Sequence, residues 1–286
     1  YLEKGEVMQG ALLLFCCCTA FGAETAATIM ERVAANQDRA QERRAQYRFH
    51  QNVLVRVQRA NGKLAREEIR EYRVTPTDKS LKRELLQLNG KVLDGSKIIP
   101  FTQTDFRYRK TDIDGEIVTN VIDDLGRTEQ PKDYATDDHN RDGIGKDLFP
   151  LSTKAQKQYD FHLEGEEEYS GHNVYRITFT PKATEDKPWA GEALIDRDAM
   201  QPVVITTHLT AVIPTAVKIM LGTNIQNVRF KVTYSNFDGD VWFPVSYGGE
   251  LRFRVLFMYA RRVSFGLINS EFERAAVDTN VTFETP

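Results

Sequence analysis

Asn227-Val228-Arg229-Phe230-Lys231-Val232-Thr233-Tyr234 alternates polar and apolar residues without a break. A period of two puts Val228, Phe230, Val232 and Tyr234 on one face of a strand and Asn227, Arg229, Lys231 and Thr233 on the other. The pattern returns in Tyr47 to Val57, where Tyr47, Phe49, Val53, Val55 and Val57 alternate with Arg48, His50, Asn52 and Arg56. It returns again in Tyr159, Phe161 and Leu163, in Tyr175, Ile177 and Phe179, and in Leu251, Phe253, Val255, Phe257 and Tyr259. Buried parallel strands would be apolar throughout, so these runs predict an antiparallel sheet with one covered and one wet face. The fold class expected is therefore mainly β with some helix (α+β), built on a large curved antiparallel sheet.

Of the 286 residues, 41% are hydrophobic and 28% charged, the composition of a folded rather than a disordered chain. All-β domains reach this size as one unit, so a single domain over residues 23–286 is expected. Net charge is -3, and Arg48, Arg56, Arg229 and Lys231 alternate with core positions instead of gathering with aromatics in a groove. Nucleic acid is therefore not an expected partner.

Lys4 precedes the apolar run Ala11 to Phe21, and Ala20 and Gly22 are small residues placed for cleavage before Ala23. That layout predicts a signal peptide over residues 1–22, too short for a transmembrane span, and a periplasmic mature protein. The other reading is a buried N-terminal helix. Cys16, Cys17 and Cys18 are the only cysteines, and Phe15 stands where a lipoprotein signal would have a small residue, so lipid anchoring is disfavoured.

Thr25 to Gln46 lacks Gly and Pro and reads as one amphipathic helix leading into the first strand. Hairpins are expected at Asn61-Gly62, with a type I′ turn, and at Asn89-Gly90, Ser170-Gly171, Asp238-Gly239 and Gly248-Gly249. Asp94 to Phe149 is the least regular stretch, with a turn expected at Asp114-Gly115 and a loop over Tyr134 to Lys146. Ile213, Val217, Ile219, Met220 and Leu221 pack much apolar surface between Pro214 and Gly222. This segment is either a lid over the concave face or fixed core.

Chemical motifs are scarce. Asp138-His139-Asn140-Arg141-Asp142-Gly143 opens like a calcium loop, but Phe149 stands where the closing bidentate acid belongs. The five histidines show no metal-binding spacing; His162 and His172 flank one hairpin and could face each other on the wet side. Glu164, Glu166, Glu167 and Glu168 read as solvated charge beside a hairpin tip. Trp189 and Trp242 read as core-closing aromatics. No nucleophile motif is present. No catalytic residue, metal or cofactor is assigned, and a non-enzymatic protein is expected.

Four segments carry a resemblance: GHNVYRITFTP (Gly171 to Pro181), AGEALID (Ala190 to Asp196), DVWFP (Asp240 to Pro244) and RFRVLFMYARRVSF (Arg252 to Phe265). In this order they resemble the LolA-like superfamily of periplasmic outer-membrane lipoprotein-sorting proteins and related bacterial envelope proteins. The likeness runs from Tyr47 to Arg274 and is nearer the uncharacterised members than the lipoprotein carrier. It implies an open, strongly curved antiparallel half-barrel, with an N-terminal helix and a short helical or loop cover on a concave face that is apolar and able to take a lipid or a lipoprotein acyl chain. The residues that would line that face are Phe49, Val53, Val55, Tyr175, Ile177, Phe179, Phe230, Val232, Phe253 and Val255, which would equally make a sealed core. The alternative function is an envelope signalling or assembly module with a sealed core and a protein partner.

Overall fold

A computed structural model describes residues 24–77, 81–126, 149–183, 189–210, 223–239, 241–255 and 259–275. The strands are β1 (Tyr47–Arg59), β2 (Leu64–Pro76), β3 (Leu81–Asp94), β4 (Lys97–Phe101), β5 (Tyr159–Tyr169) and β6 (His172–Pro181). They continue as β7 (Trp189–Asp196), β8 (Pro202–Leu209), β9 (Thr223–Phe237), β10 (Val241–Val255) and β11 (Tyr259–Arg274). All lie in one antiparallel sheet ordered β4-β3-β2-β1-β11-β10-β9-β8-β7-β6-β5. The first strand thus pairs with the last, joining two meanders, and β4 and β5 remain as edges. The sheet is antiparallel, as the alternation predicted, and an open half-barrel, as the resemblance implied.

Burial follows the period of two. Val228, Val232 and Tyr234 are buried between exposed Arg229 and Lys231, and β1 buries Tyr47, Phe49, Val53, Val55 and Val57. The connection between β7 and β8 departs from this, with Leu194 and Ile195, and Val203 and Val204, buried on both parities.

Helix α1 (Ala26–Arg44) begins where Thr25 caps it, the Thr25 side chain accepting from the Thr28 N–H. Its buried stripe of Ile29, Met30 and Val33 lies on the inner face of the sheet. The far end is held by polar bonds: Asn36 donates to the Ala199 and Met200 carbonyls, Gln37 to Gln201, and Arg44 to the Trp242 carbonyl at 2.8 Å. The second helix, α2 (Ile113–Gly126), buries Val118, Ile122 and Leu125 against the same core, and α3 (Thr153–Gln156) is a single turn whose Gln156 donates to the Met30 carbonyl.

Several expected turns are something else. Asn89-Gly90 lies inside β3, which reverses instead at Gly95. A Cβ on Gly90 would stand 2.2 Å from the Phe101 ring, so this glycine makes room for an aromatic across the strand. Gly248 and Gly249 likewise lie inside β10, opposite Gly266 and Phe265, where a Cβ on Gly249 would meet Phe230 at 2.6 Å. The chain reverses after Val255, which pairs with Tyr259, so Leu251 to Tyr259 is not one strand; Phe257 lies outside the described residues.

Asp114-Gly115 opens α2, with Asp112 accepting from the Gly115 N–H at 3.0 Å in the manner of a helix cap. The hairpin at Asn61-Gly62 is present, but only Gly62 is left-handed, so Ala60 to Gly62 forms a three-residue loop rather than a type I′ turn. Ser170-Gly171 and Asp238-Gly239 do reverse the chain, with both residues of each pair at positive φ.

Candidate functional site

The inner face of the sheet is a trough under α1 and α2, and its two halves differ in chemistry. Along β5 to β11, under α1, and on β1, against which α2 packs, it is apolar. Phe49, Val53, Val55, Tyr175, Ile177, Phe179 and Val232 belong to one contiguous buried cluster, with Phe230 packed against it. The structure therefore brings these eight expected lining residues together. Seven of them are buried, Ile177 with 0% exposure, and Phe230 is partly buried. Phe253 and Val255 lie in β10, but their side chains are outside the described residues, as are Ile213, Val217, Ile219, Met220 and Leu221.

Aromatic contacts fill the floor. Phe230 meets Trp189 edge-on at 5.1 Å and stacks on Tyr247 at 5.9 Å. Burial pushes the Tyr247 hydroxyl well above the ordinary phenol range. At the mouth, the Tyr175 hydroxyl donates to Glu24 at 2.6 Å; that bond and burial raise its pKa. Gln51 and Asn269 form a buried polar pair across β1 and β11 at 3.0 Å, and Asn269 also donates to the Pro244 carbonyl.

Where α2 reaches over β2 the same face is charged. On β2, Arg66, Glu68 and Arg70 stand at the parity of Tyr72 and Val74 and point inward, with Arg66 2% and Glu68 1% exposed. Glu68 accepts from Arg66 and from Arg70, each at 2.7 Å. Burial alone would lower the Arg70 pKa, but the Glu68 carboxylate outweighs it and raises it. Arg66 also reaches Asp112 at 2.8 Å and sits 4.6 Å from the Phe101 ring, which stacks on Phe106 at 4.2 Å.

A second clamp holds α2 from β11. Arg261 Nε donates to Asp114 at 2.7 Å and the Tyr259 hydroxyl donates to the same oxygen at 2.6 Å. Burial and that carboxylate push the Tyr259 pKa up. The start of α2 is thus tied through Asp112 to β2 and through Asp114 to β11. A polar cavity of about 390 Å³ opens beside it, lined by Arg66, Phe106, Asp112, Glu116 and Thr119 among others.

The charged half was absent from the sequence reading. Its signal was the shared parity of Arg66, Glu68, Arg70, Tyr72 and Val74, which a search for apolar alternation passes over.

The remaining candidates fall outside the trough or outside the described residues. Asp138 to Gly143 lies outside them, while Phe149 is buried in the core. Among the described residues no three His, Cys, Asp or Glu side chains are arranged to hold a metal ion. His162 is exposed and pairs across the hairpin with Thr178, so it does not face His172. His172 instead bonds Asp196 at 2.7 Å and lies beside Trp242. The acidic run is surface charge in ion pairs, Glu166 with Arg197 and Glu167 with Arg176. Among the described residues no helix is long and apolar enough to cross a membrane.

A family model described as "Family of unknown function (DUF5686)" matches residues 145–262. No curated protein matches the chain. Among solved structures, a LolA superfamily protein from Nitrosomonas europaea is 14% identical, with 92% of this chain and 99% of that chain covered at a TM-score of 0.33. A DUF1329 family protein from Desulfovibrio piger is 12% identical over 91% of this chain and 98% of that chain, with a TM-score of 0.36. A chain of the Pseudomonas aeruginosa MucA/MucB complex is 12% identical over 83% of this chain and 94% of that chain, with a TM-score of 0.23.

Proposed function

We propose that this chain is a non-enzymatic periplasmic binding or carrier protein that takes a lipid or a lipoprotein acyl chain into the trough, in the manner of outer-membrane lipoprotein sorting. One observation carries this reading: a continuous apolar sheet face is covered by two helices instead of a second sheet, and α2 is tied by ion pairs at its start. Helices docked in this way can separate from a sheet without breaking the strand ladder, and apolar faces with few polar fixtures suit acyl ligands.

Native mass spectrometry of the full chain purified from a bacterial periplasm tests it. A co-purifying lipid, and a rise in melting temperature on adding lipid, are expected. Neither lipid nor stabilisation would remove the carrier reading.

The second reading is an envelope interaction module with a sealed core. It is favoured by the near-complete burial of Val53, Ile177 and Val232. Crosslinking that recovers a stoichiometric envelope protein from a lipid-free sample would put it first.

A further inference from the structure

Arg83 is the one inward-facing arginine of β2 and β3 left without a carboxylate. It stands opposite Val74 on the trough side of β3, with its guanidinium carbon 4.1 Å from the centre of the Tyr72 ring. Nε and Nη2 are buried and have no hydrogen-bond partner. These two nitrogens form one edge of the guanidinium, the fork that receives two oxygens of a carboxylate or phosphate.

The neighbouring charges do not fill the fork. Three inward guanidiniums, Arg66, Arg70 and Arg83, face two buried or nearly buried carboxylates, Glu68 and Asp112, and both are already bonded by Arg66 or Arg70. Arg70 repels Arg83, and Asp123 on α2 attracts it without a bond. A buried cation with an empty fork is costly in the unliganded protein and is the feature that an anion would satisfy.

Its surroundings say what kind of anion. Leu85 follows on the same inner face, opposite Tyr72, and is 39% exposed where most of that face is covered. From Leu81 to Asn89, β3 has no outer neighbour among the described strands, because β4 pairs only with Gly90 to Asp94. The fork therefore sits at the rim of the trough beside uncovered apolar surface.

We propose that Arg83 binds the anionic headgroup, carboxylate or phosphate, of a single-chain amphiphile whose hydrocarbon lies over Leu85 and enters the trough beneath α2. This rests on the trough reading above. It adds the class of ligand and the residue that selects it.

Titration calorimetry on the full chain in phosphate-free buffer tests it with four probes kept below micelle formation: laurate, dodecyl phosphate, uncharged dodecyl maltoside and inorganic phosphate. The two anionic chains should bind about tenfold or more tighter than dodecyl maltoside. Arg83→Gln should bring them down to its level, and Arg83→Lys should keep part of the preference, since an ammonium keeps the charge but lacks the fork. Equal affinity for charged and uncharged chains would overturn the headgroup assignment and leave the trough reading standing. No binding of any chain would overturn both. Inorganic phosphate binding as tightly as dodecyl phosphate would make this an anion site without a chain, which contradicts the proposal. The comparison of probes on the unmodified protein decides the matter even where a variant does not fold.

Discussion

The two halves of the trough are built on the same strand geometry and stabilised in opposite ways. In the apolar half, Ile177, Val53 and Val232 are held by apolar burial, which has no direction and tolerates exchange of one hydrocarbon shape for another. Under α2, Arg66, Glu68 and Arg70 are held by bonds that each need their partner. Removing one member leaves a desolvated charge behind. An apolar face alone would bind any greasy surface, whereas a charged rim allows choice between ligands.

The largest expected effect is in the apolar half. Ile177→Asp places an unpaired carboxylate where nothing can solvate it, and should cost about 4 kcal/mol or more, enough to unfold a typical domain in a urea titration. Ile177→Val in the same place should cost only about 0.5–1.5 kcal/mol.

The charged half should answer differently. Glu68→Ala strips the shared acceptor from Arg66 and Arg70 and should cost about 3–5 kcal/mol by the same measurement. Replacing the whole set, Arg66→Met with Glu68→Leu and Arg70→Met, should return most of that loss, because the one charge left without its ion-pair partner, Asp112, is still held by backbone donors from Tyr108 and Gly115. If the triple variant is no more stable than Glu68→Ala, the two halves do not differ in the way described.

The same contrast explains what the sequence made legible. Strands β1, β5, β6 and β9 announce themselves because their inward residues are apolar and their outward ones are not. Strand β2 obeys the same period, yet Arg66, Glu68 and Arg70 occupy its buried side, and pairing, not composition, makes that burial tolerable. Pairing between distant elements, such as Arg66 with Asp112 or Arg261 with Asp114, is not written in local sequence. The glycines misled for a related reason. At Gly90 and Gly249 the side chain is absent because an aromatic ring from a neighbouring strand needs the space, which is invisible until Phe101 and Phe230 are placed.

Those glycines give the next test, one in each half. Gly249→Ala and Gly90→Ala should each cost about 1–3 kcal/mol by thermal or urea unfolding, since a ring must move in either case. Indifference at Gly90 would mean that Phe101 does not pack on it, and would loosen the wall against which Arg66 stacks.

The smallest effect concerns the outer face. Burial alone would raise the Glu67 pKa, but Lys91 and Arg56, each at 2.6 Å, outweigh it and hold the carboxyl below its ordinary 4.5. A pKa lowered on folding contributes stability fully above the unfolded value and loses it as pH falls through the folded one. Glu67→Gln should therefore be less stable at neutral pH, with the gap to the parent closing as the solution is acidified. The two solvent-facing partners screen the pair, so the gap should be small. A gap independent of pH would show that Glu67 acts by packing and not by charge.

Whether a chain lies in the trough is tested most directly by photocrosslinking a diazirine-bearing fatty acid to the full chain and mapping the modified residues by mass spectrometry. Carriage in the trough requires crosslinks on the inner face, at residues such as Val53, Ile177, Val232 and Leu85, and their loss when unlabelled fatty acid competes. Crosslinks confined to the outer face, at its exposed Ile69 and Ile268, would contradict it.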